Sequence, residues 1–328
     1  MCLSPLLINI GTHKIANCKI PKGTTLSRWY NQHRNLYNLV PCEHCVECLQ
    51  AKAAEYTSKL LAESLCHREA NGYFITWTYD NYHLPPFGSL EKDALSRLQD
   101  HFRKYICKPF RKDGKVVRPK IDDYLRYFAI GEYGTKFDRP HYHMCLWSDL
   151  LTQTDIIQLM HTVWSDDKGL IGQIDIHPFQ STGAVGYVSK YHSKRLANIL
   201  KGSTDDVTSL RFKIENRLCI PPYIRCSKNL GLKFFLRPEI RAIYERGDTY
   251  KYNGFSLMCP PPYLKKVLTP ETYLRRKLEF ERTQEERYFA EIDKNIADNE
   301  TFKDYLQRVQ YLNSQGLKNF LEKKTSKF

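Results

Sequence analysis

The segment Arg139-Pro140-His141-Tyr142-His143-Met144-Cys145-Leu146-Trp147 alternates with the period of two that marks a β-strand. Side chains two apart on a strand share a face, so His141 and His143 emerge together with Cys145 beyond them, while Tyr142, Met144 and Leu146 turn towards a core. Two imidazoles side by side form half of a divalent-metal site. Just upstream, Arg126 to Gly131 reads as another strand, joined by a turn containing Gly134 and Pro140, which can bring the carboxylate of Glu132 across as a third ligand. The expected product is a three-ligand site with open positions. With 11 histidines in 328 residues, a His-x-His triplet is by itself a weak signal, and its weight comes from its surroundings.

Periodicity assigns much of the rest. Leu49 to Ala70 carries Ala53, Tyr56, Leu60, Leu61, Ser64 and Leu65 at helical spacing, with Asn71-Gly72 as the stop. Tyr73 to Tyr79 is aromatic and β-branched and reads as a strand. Ser89 opens a helix through Tyr105 with Leu90, Ala94, Leu98 and Phe102 on one stripe, and Lys108 to Lys120 is a basic loop. Thr152 with Asp155 forms a capping box before the stripe Ile156, Leu159, Met160, Val163, Trp164. Gly172 to His177 alternates as a strand, and Ser181 or Thr182 caps a helix from Gly186 to about Leu200. This order predicts an α+β fold, a mostly antiparallel central sheet flanked by helices. Met1 to Pro41 reads as irregular or short-stranded, and the chain from Pro270 on as a charged helical tail. The expected plan is residues 1–70 as an N-terminal segment, 71–262 as the domain carrying the histidine pair with its extension, and 263–328 as the tail.

The second chemical element is Tyr187-Val188-Ser189-Lys190-Tyr191-His192-Ser193-Lys194. On a helix Tyr187 and Tyr191 share a face, with Lys190 and Lys194 as a second pair four apart beside them. A phenol is a poor nucleophile at neutral pH, but neighbouring ammonium groups favour the phenolate. The same spacing also suits a helix with two buried aromatics and a basic solvent face. Together, the His-x-His strand, the nearby acid and the Tyr-x-x-x-Tyr helix are the parts needed for metal-assisted attack of tyrosine on a phosphodiester.

These parts occur in a familiar order: Phe74-Ile75-Thr76-Trp77-Thr78-Tyr79, Gly131-Glu132-Tyr133-Gly134, Arg139-Pro140-His141-Tyr142-His143, then the twin-tyrosine helix. In this the chain resembles the replication initiators of the HUH endonuclease superfamily, most closely the rolling-circle initiators of gokushovirus-like Microviridae. Cys2, Pro5, Val40-Pro41-Cys42-x-x-Cys45-x-x-Cys48, Leu84-Pro85 and Arg225-x-Ser227-x-x-x-Gly231 fit the same group. The resemblance runs from Met1 to about Pro262. It implies His141, His143 and Glu132 as ligands of Mg²⁺ or Mn²⁺, Tyr187 and Tyr191 as nucleophiles, and Lys190 and Lys194 as charges that offset the transition state. The implied activity is a site-specific single-strand DNA nickase and strand transferase that starts and ends rolling-circle replication through a 5′-phosphotyrosine. Its partners would be the origin in phage single-stranded and replicative-form DNA and a host helicase and polymerase, in the host bacterial cytoplasm. Trp77, in place of a smaller apolar residue, and His192 beside the second tyrosine depart from the pattern.

Composition agrees with a nucleic-acid partner. Fifty Lys plus Arg against 36 Asp plus Glu leave a formal charge of +14, which concentrates polyanions at the surface. No apolar run approaches a membrane span and no secretory signal is evident. Eleven cysteines, an odd number, suit free thiols or a metal better than a disulfide framework. Cys42, Cys45 and Cys48 with a fourth ligand from Cys2, Cys18 or Cys66, or from His44 or His67, could build a structural Zn²⁺ site. Lys108, Arg111, Lys112, Lys115, Arg118 and Lys120 could neutralise phosphates, and Trp77, Tyr79 or Tyr82 could stack on bases. No G-x-x-x-x-G-K-[ST] motif occurs, so duplex unwinding is assigned to a host enzyme. The rivals are a non-catalytic zinc-containing nucleic-acid-binding protein and an HUH transposase or relaxase.

Overall fold

The computed structural model describes residues 6–13, 24, 26–41, 46–67, 72–108, 110–112, 114–117, 125–134, 136–178, 205–295, 300, 304–305, 307–309 and 311–312. These form two compact units, one of Glu55–Tyr263 and the other of Met1–Ala54 with Leu264–Phe328.

The larger unit is built on strands β3 (Gly72–Thr78), β6 (Arg126–Tyr133), β7 (Pro140–Trp147), β10 (Ile174–Pro178) and β11 (Tyr223–Cys226). Among the described residues they make a five-stranded sheet in the order β10-β3-β7-β6-β11, antiparallel throughout. The expected α+β class with a mostly antiparallel sheet is therefore correct. Strand β7 lies at its centre. Its registers set Thr76 of β3 opposite His143 and Glu132 of β6 opposite His141.

Both faces of the sheet are covered. On one, Ile75, Trp77, Tyr142, Met144 and Leu146 pack under α3 (Lys92–Ile106) and α4 (Gln153–Val163). Helix α3 contributes Ala94, Leu95, Leu98 and Phe102, and α4 contributes Ile156, Leu159 and Met160. The capping box of α4 is present, with Thr152 Oγ1 accepting from Asp155 N and Asp155 Oδ2 accepting from Thr152 N. A two-residue hairpin of β8 (Ser165–Asp166) and β9 (Gly169–Leu170) leads from α4 towards β10. On the other face Phe128, Ile130, Cys145 and Trp147 pack with Leu60 of α2 (Val46–Ser64) and with Leu230. Cys145 thus shares the histidines' face, as expected, but it is sealed under α2, where burial pushes its thiol up to about 12.

Helix α2 is locked at its end by charge. Glu63 Oε1 accepts from Arg126 Nε at 3.0 Å and faces His67 Nε2 at 3.0 Å, while Gly231 N donates to Glu63 Oε2 at 2.5 Å. Gly231 is required here, because its φ is +77° and a Cβ would stand 2.5 Å from Lys59 O.

Several boundaries differ from the sequence reading. Helix α2 stops at Ser64 rather than near Ala70: Cys66 N bonds Glu63 O, His67 N bonds Ser64 O, and Arg237 Nη2 donates to Leu65 O. Those bonds satisfy the terminal carbonyls. Ser89 does not cap α3. Its hydroxyl accepts from Ile220 N and donates to Leu90 O, and Glu91 occupies the N-cap position. The basic loop contains a small hairpin of β4 (Phe110–Lys112) and β5 (Lys115–Val117). Trp77 and Tyr79 are buried and cannot stack on bases, whereas Tyr82 is exposed. Strand β11 was not anticipated.

In the smaller unit β1 (Leu6–Asn9) pairs with β2 (Tyr37–Val40), as short-stranded patterning suggested, but helix α1 (Leu26–Gln32) was missed. Tyr30 of α1 packs 5.1 Å from Phe289 of the long helix Pro270–Asn295, and Arg34 pairs with Glu285. No helix among the described residues is long and apolar enough to cross a membrane.

One residue at the edge of the sheet has no tolerance for a side chain. A Cβ on Gly172 would stand 2.1 Å from Thr78 O and 2.8 Å from the Tyr79 carbonyl carbon. Both are backbone atoms, so the strand itself would have to shift. Gly172→Ala is expected to destabilise the protein by about 1–3 kcal/mol, read as a lower midpoint in urea unfolding. An unchanged midpoint would show that this approach is not tight.

Candidate metal centre

Glu132, His141 and His143 converge on the face of the sheet left open beyond α2. Backbone rules alone place them: Glu132 and His141 are directly opposed on β6 and β7, and His143 follows His141 by one strand repeat. Strand β6 is two residues longer than expected, ending at Tyr133 rather than Gly131, so Glu132 lies within the ladder rather than in a turn. On the opposite face Gly131 leaves room for rings. A Cβ there would lie 3.0 Å from Tyr223 and 3.3 Å from Tyr142.

Nε2 of His141 is 3.0 Å and Nε2 of His143 is 3.2 Å from Glu132 Oε1. The imidazoles lie 4.9 Å apart, edge to face. One donor atom from each of the three residues falls within 4.8 Å of the others, and among the described residues this is the single such group of His, Cys, Asp or Glu. Glu132 is 2% exposed. A carboxylate so deeply buried is costly unless paired with protons or a cation.

The remaining ring nitrogens are held from behind. His141 Nδ1 donates to Arg139 O at 3.1 Å, and His143 Nδ1 lies 2.8 Å from Thr76 Oγ1. The His143 ring stacks on Phe74 at 5.5 Å. Outer partners on Nδ1 fix each ring and leave Nε2 to face the ligand position, the usual arrangement around metal-ligating histidines. The donor set of two imidazole nitrogens and one carboxylate oxygen fits a divalent first-row ion and leaves further positions open.

Beside His141 is a cavity of about 820 Å³. Its walls include Lys136, Phe137 and Arg139 from the β6–β7 turn and Asn81, Gly172 and Gln173 from the other side. Arg139 pins those walls together, donating from Nη1 to Asn81 Oδ1 at 2.7 Å and from Nη2 to Tyr79 O at 3.0 Å. At the edge of this region Lys168 Nζ sits 4.4 Å over the Tyr82 ring.

The other expected site residues are placed unevenly. Tyr187, Tyr191, Lys190 and Lys194 lie outside the described residues, as do His192, Cys2, Cys18, Cys42, Cys45 and His44. Cys48 falls in the first turn of α2. His67 is engaged by Glu63 and by Asp149 Oδ2 at 3.2 Å, which occupies both of its ring nitrogens. Lys108, Arg111 and Lys115 are exposed, while Arg118 and Lys120 lie outside the described residues. Phe137, Lys136 and Gln173 had not been singled out. The signal available was an aromatic between two basic residues in the turn just before the His-x-His strand.

A family model for the replication-associated proteins of the ORF2 type matches residues 72–196, a span that begins with β3 and takes in all three candidate ligands. Over 341 residues the chain is 26% identical to the replication-associated protein ORF2 of Spiroplasma virus 4, covering 98% of this chain and 92% of that one. The chain belongs with the phage replication-associated proteins. Two further replication-associated proteins are similar over shorter spans. ORF4 of Chlamydia phage 1 is 29% identical over 115 residues, 35% of this chain and 25% of that one. VP4 of Bdellovibrio phage phiMH2K is 25% identical over 170 residues, 48% of this chain and 49% of that one. No solved structure matches the chain. The Glu132–His141–His143 cluster therefore lies within the segment that identifies this replication-associated protein's family.

Proposed function

We propose that this replication-associated protein is a metal-dependent, origin-specific nickase and strand transferase acting on single-stranded DNA. The observation that carries the reading is the convergence of Glu132, His141 and His143, with donor atoms within 4.8 Å of one another, beside a cavity lined by Lys136 and Arg139. A divalent ion held by these three residues, Mn²⁺ or Mg²⁺, would act as a Lewis acid on the scissile phosphate. The chain's own groups do the rest. Arg139 and Lys136 attract the flanking phosphates. The hydroxyl of Tyr187 or Tyr191 attacks phosphorus, the O3′ leaves with a proton, and one phosphodiester is exchanged for a phosphotyrosine of similar energy. Lys190 and Lys194 offset the charge that develops. The second tyrosine can then cut the regenerated origin, and the released 3′ hydroxyl attacks the first linkage to close a circle without ATP. The freed 3′ end primes a host polymerase, with a host helicase opening the duplex, in the host cytoplasm.

The test is to incubate the protein with labelled single-stranded fragments of the genome that encodes it. Mass spectrometry should find a nucleotide on Tyr187 or Tyr191, formed with Mg²⁺ or Mn²⁺ and absent in EDTA. Tyr187→Phe combined with Tyr191→Phe should abolish the adduct and leave DNA binding intact. An adduct that survives in the double variant refutes the assignment.

A further inference from the structure

We propose that the cavity beside His141 is a nucleobase pocket, in which Phe137 provides the stacking surface and the amides of Gln173 and Asn81 read the base. The inference rests on the nickase reading for its substrate class but is carried by different groups.

Phe137 is 73% exposed in the turn between β6 and β7, yet it lines the cavity rather than projecting from a featureless surface. Lys136 Nζ lies 5.1 Å over its ring, so a cation and a π-face are presented together, the combination that holds a base and its phosphate in single-strand binding grooves. The opposite wall supplies hydrogen-bonding capacity. Among the described residues the Gln173 amide makes no hydrogen bond, and Asn81 uses only its Oδ1, towards Arg139. A base entering here meets one complete amide and one amide nitrogen, enough to distinguish donor and acceptor edges. Asp80, the acidic group of the lining, is occupied by His83, accepting from its backbone N at 2.8 Å and facing its Nδ1 at 2.9 Å. It therefore opposes a phosphate less than a bare carboxylate would.

The pocket is preformed. The Arg139 bonds to Asn81 and to Tyr79 O tie the turn to the end of β3, and Gly172 lets the chain before β10 approach within the space a Cβ would need. A base held in this way fixes the adjoining phosphate next to His141, so the pocket serves position and sequence preference together.

The experiment separates this proposal from the nickase reading. In EDTA, fluorescence anisotropy with a labelled oligothymidylate and a labelled mixed-sequence single strand should show Phe137→Ala weakening affinity roughly tenfold, with Phe137→Tyr close to wild type and both variants unfolding at the wild-type temperature. With metal, cleavage of a randomised single-strand pool should show Gln173→Ala relaxing the preference at one nucleotide next to the cut. Unchanged affinity in Phe137→Ala, equal losses in both Phe137 variants, or no single-strand binding by wild type overturns the pocket. Binding that depends on Phe137 without any covalent adduct upholds the pocket and refutes the nickase reading.

Discussion

His141→Ala is expected to lower the rate of covalent adduct formation by about a thousandfold, while leaving the unfolding temperature nearly unchanged. The first part follows from the donor set. Removing one of three protein ligands leaves Glu132 and His143, which cannot hold a divalent ion at the phosphate, and electrostatic stabilisation of this kind is worth on the order of 10²–10³ in rate. The second follows from its position, because the His141 side chain is 17% exposed and its loss opens little core. Calorimetric titration with Mn²⁺ in the absence of DNA should show the same variant losing at least tenfold in affinity, so the metal step can be read apart from chemistry. His192→Ala is the control, with a much smaller loss expected. Equal rate losses in the two variants would remove His141 from the ligand set.

Glu63→Leu should produce the largest loss of stability. The carboxylate is buried between Arg126, His67 and the Gly231 N–H, and deleting it strips the Arg126 guanidinium of its counter-charge inside the protein. Breaking a buried pair from one side costs about 3–5 kcal/mol, a fall of roughly 10 °C in the thermal midpoint for a unit of this size. The pH dependence has a definite sign. Burial pushes the Glu63 carboxyl up, but His67, Arg126 and the Gly231 amide outweigh it and hold the group below its ordinary value of 4.5. A depressed carboxyl contributes stability that is fully present above the unfolded value and is lost as pH falls through the folded one. The gap between wild type and Glu63→Leu should therefore be constant near neutrality and narrow below about pH 4.5. A gap that widens on acidification, or a midpoint shift within about 2 °C, would show that the pair does not lock α2.

The candidate site was legible in the chain to different depths. His141 and His143 could be placed on one face because strand alternation is a local rule, and the Thr152–Asp155 capping box likewise. Glu132 was named as the acid, but the reading ended its strand at Gly131. The ladder continues to Tyr133 because Glu132 and Tyr133 pair with His141 and Pro140, and no window of β6 alone contains that information. Trp77 and Tyr79 read as DNA-facing aromatics only while the sheet face was unassigned. Packing under Trp164, with the Trp77 ring 5.2 Å from Tyr142, puts them in the core.

Sequence alone determined the alternation that pairs the two imidazoles, the antiparallel α+β class, and a basic charge balance suited to a polyanion. All three depend on spacing or composition within the chain. Tertiary structure decided that β7 occupies the middle of the sheet, that Glu132 stands opposite His141, and that Phe137 and Gln173 face one cavity. Those outcomes depend on strand register and on the close approach at Gly172, contacts between segments far apart in the chain whose energies appear only once both are in place.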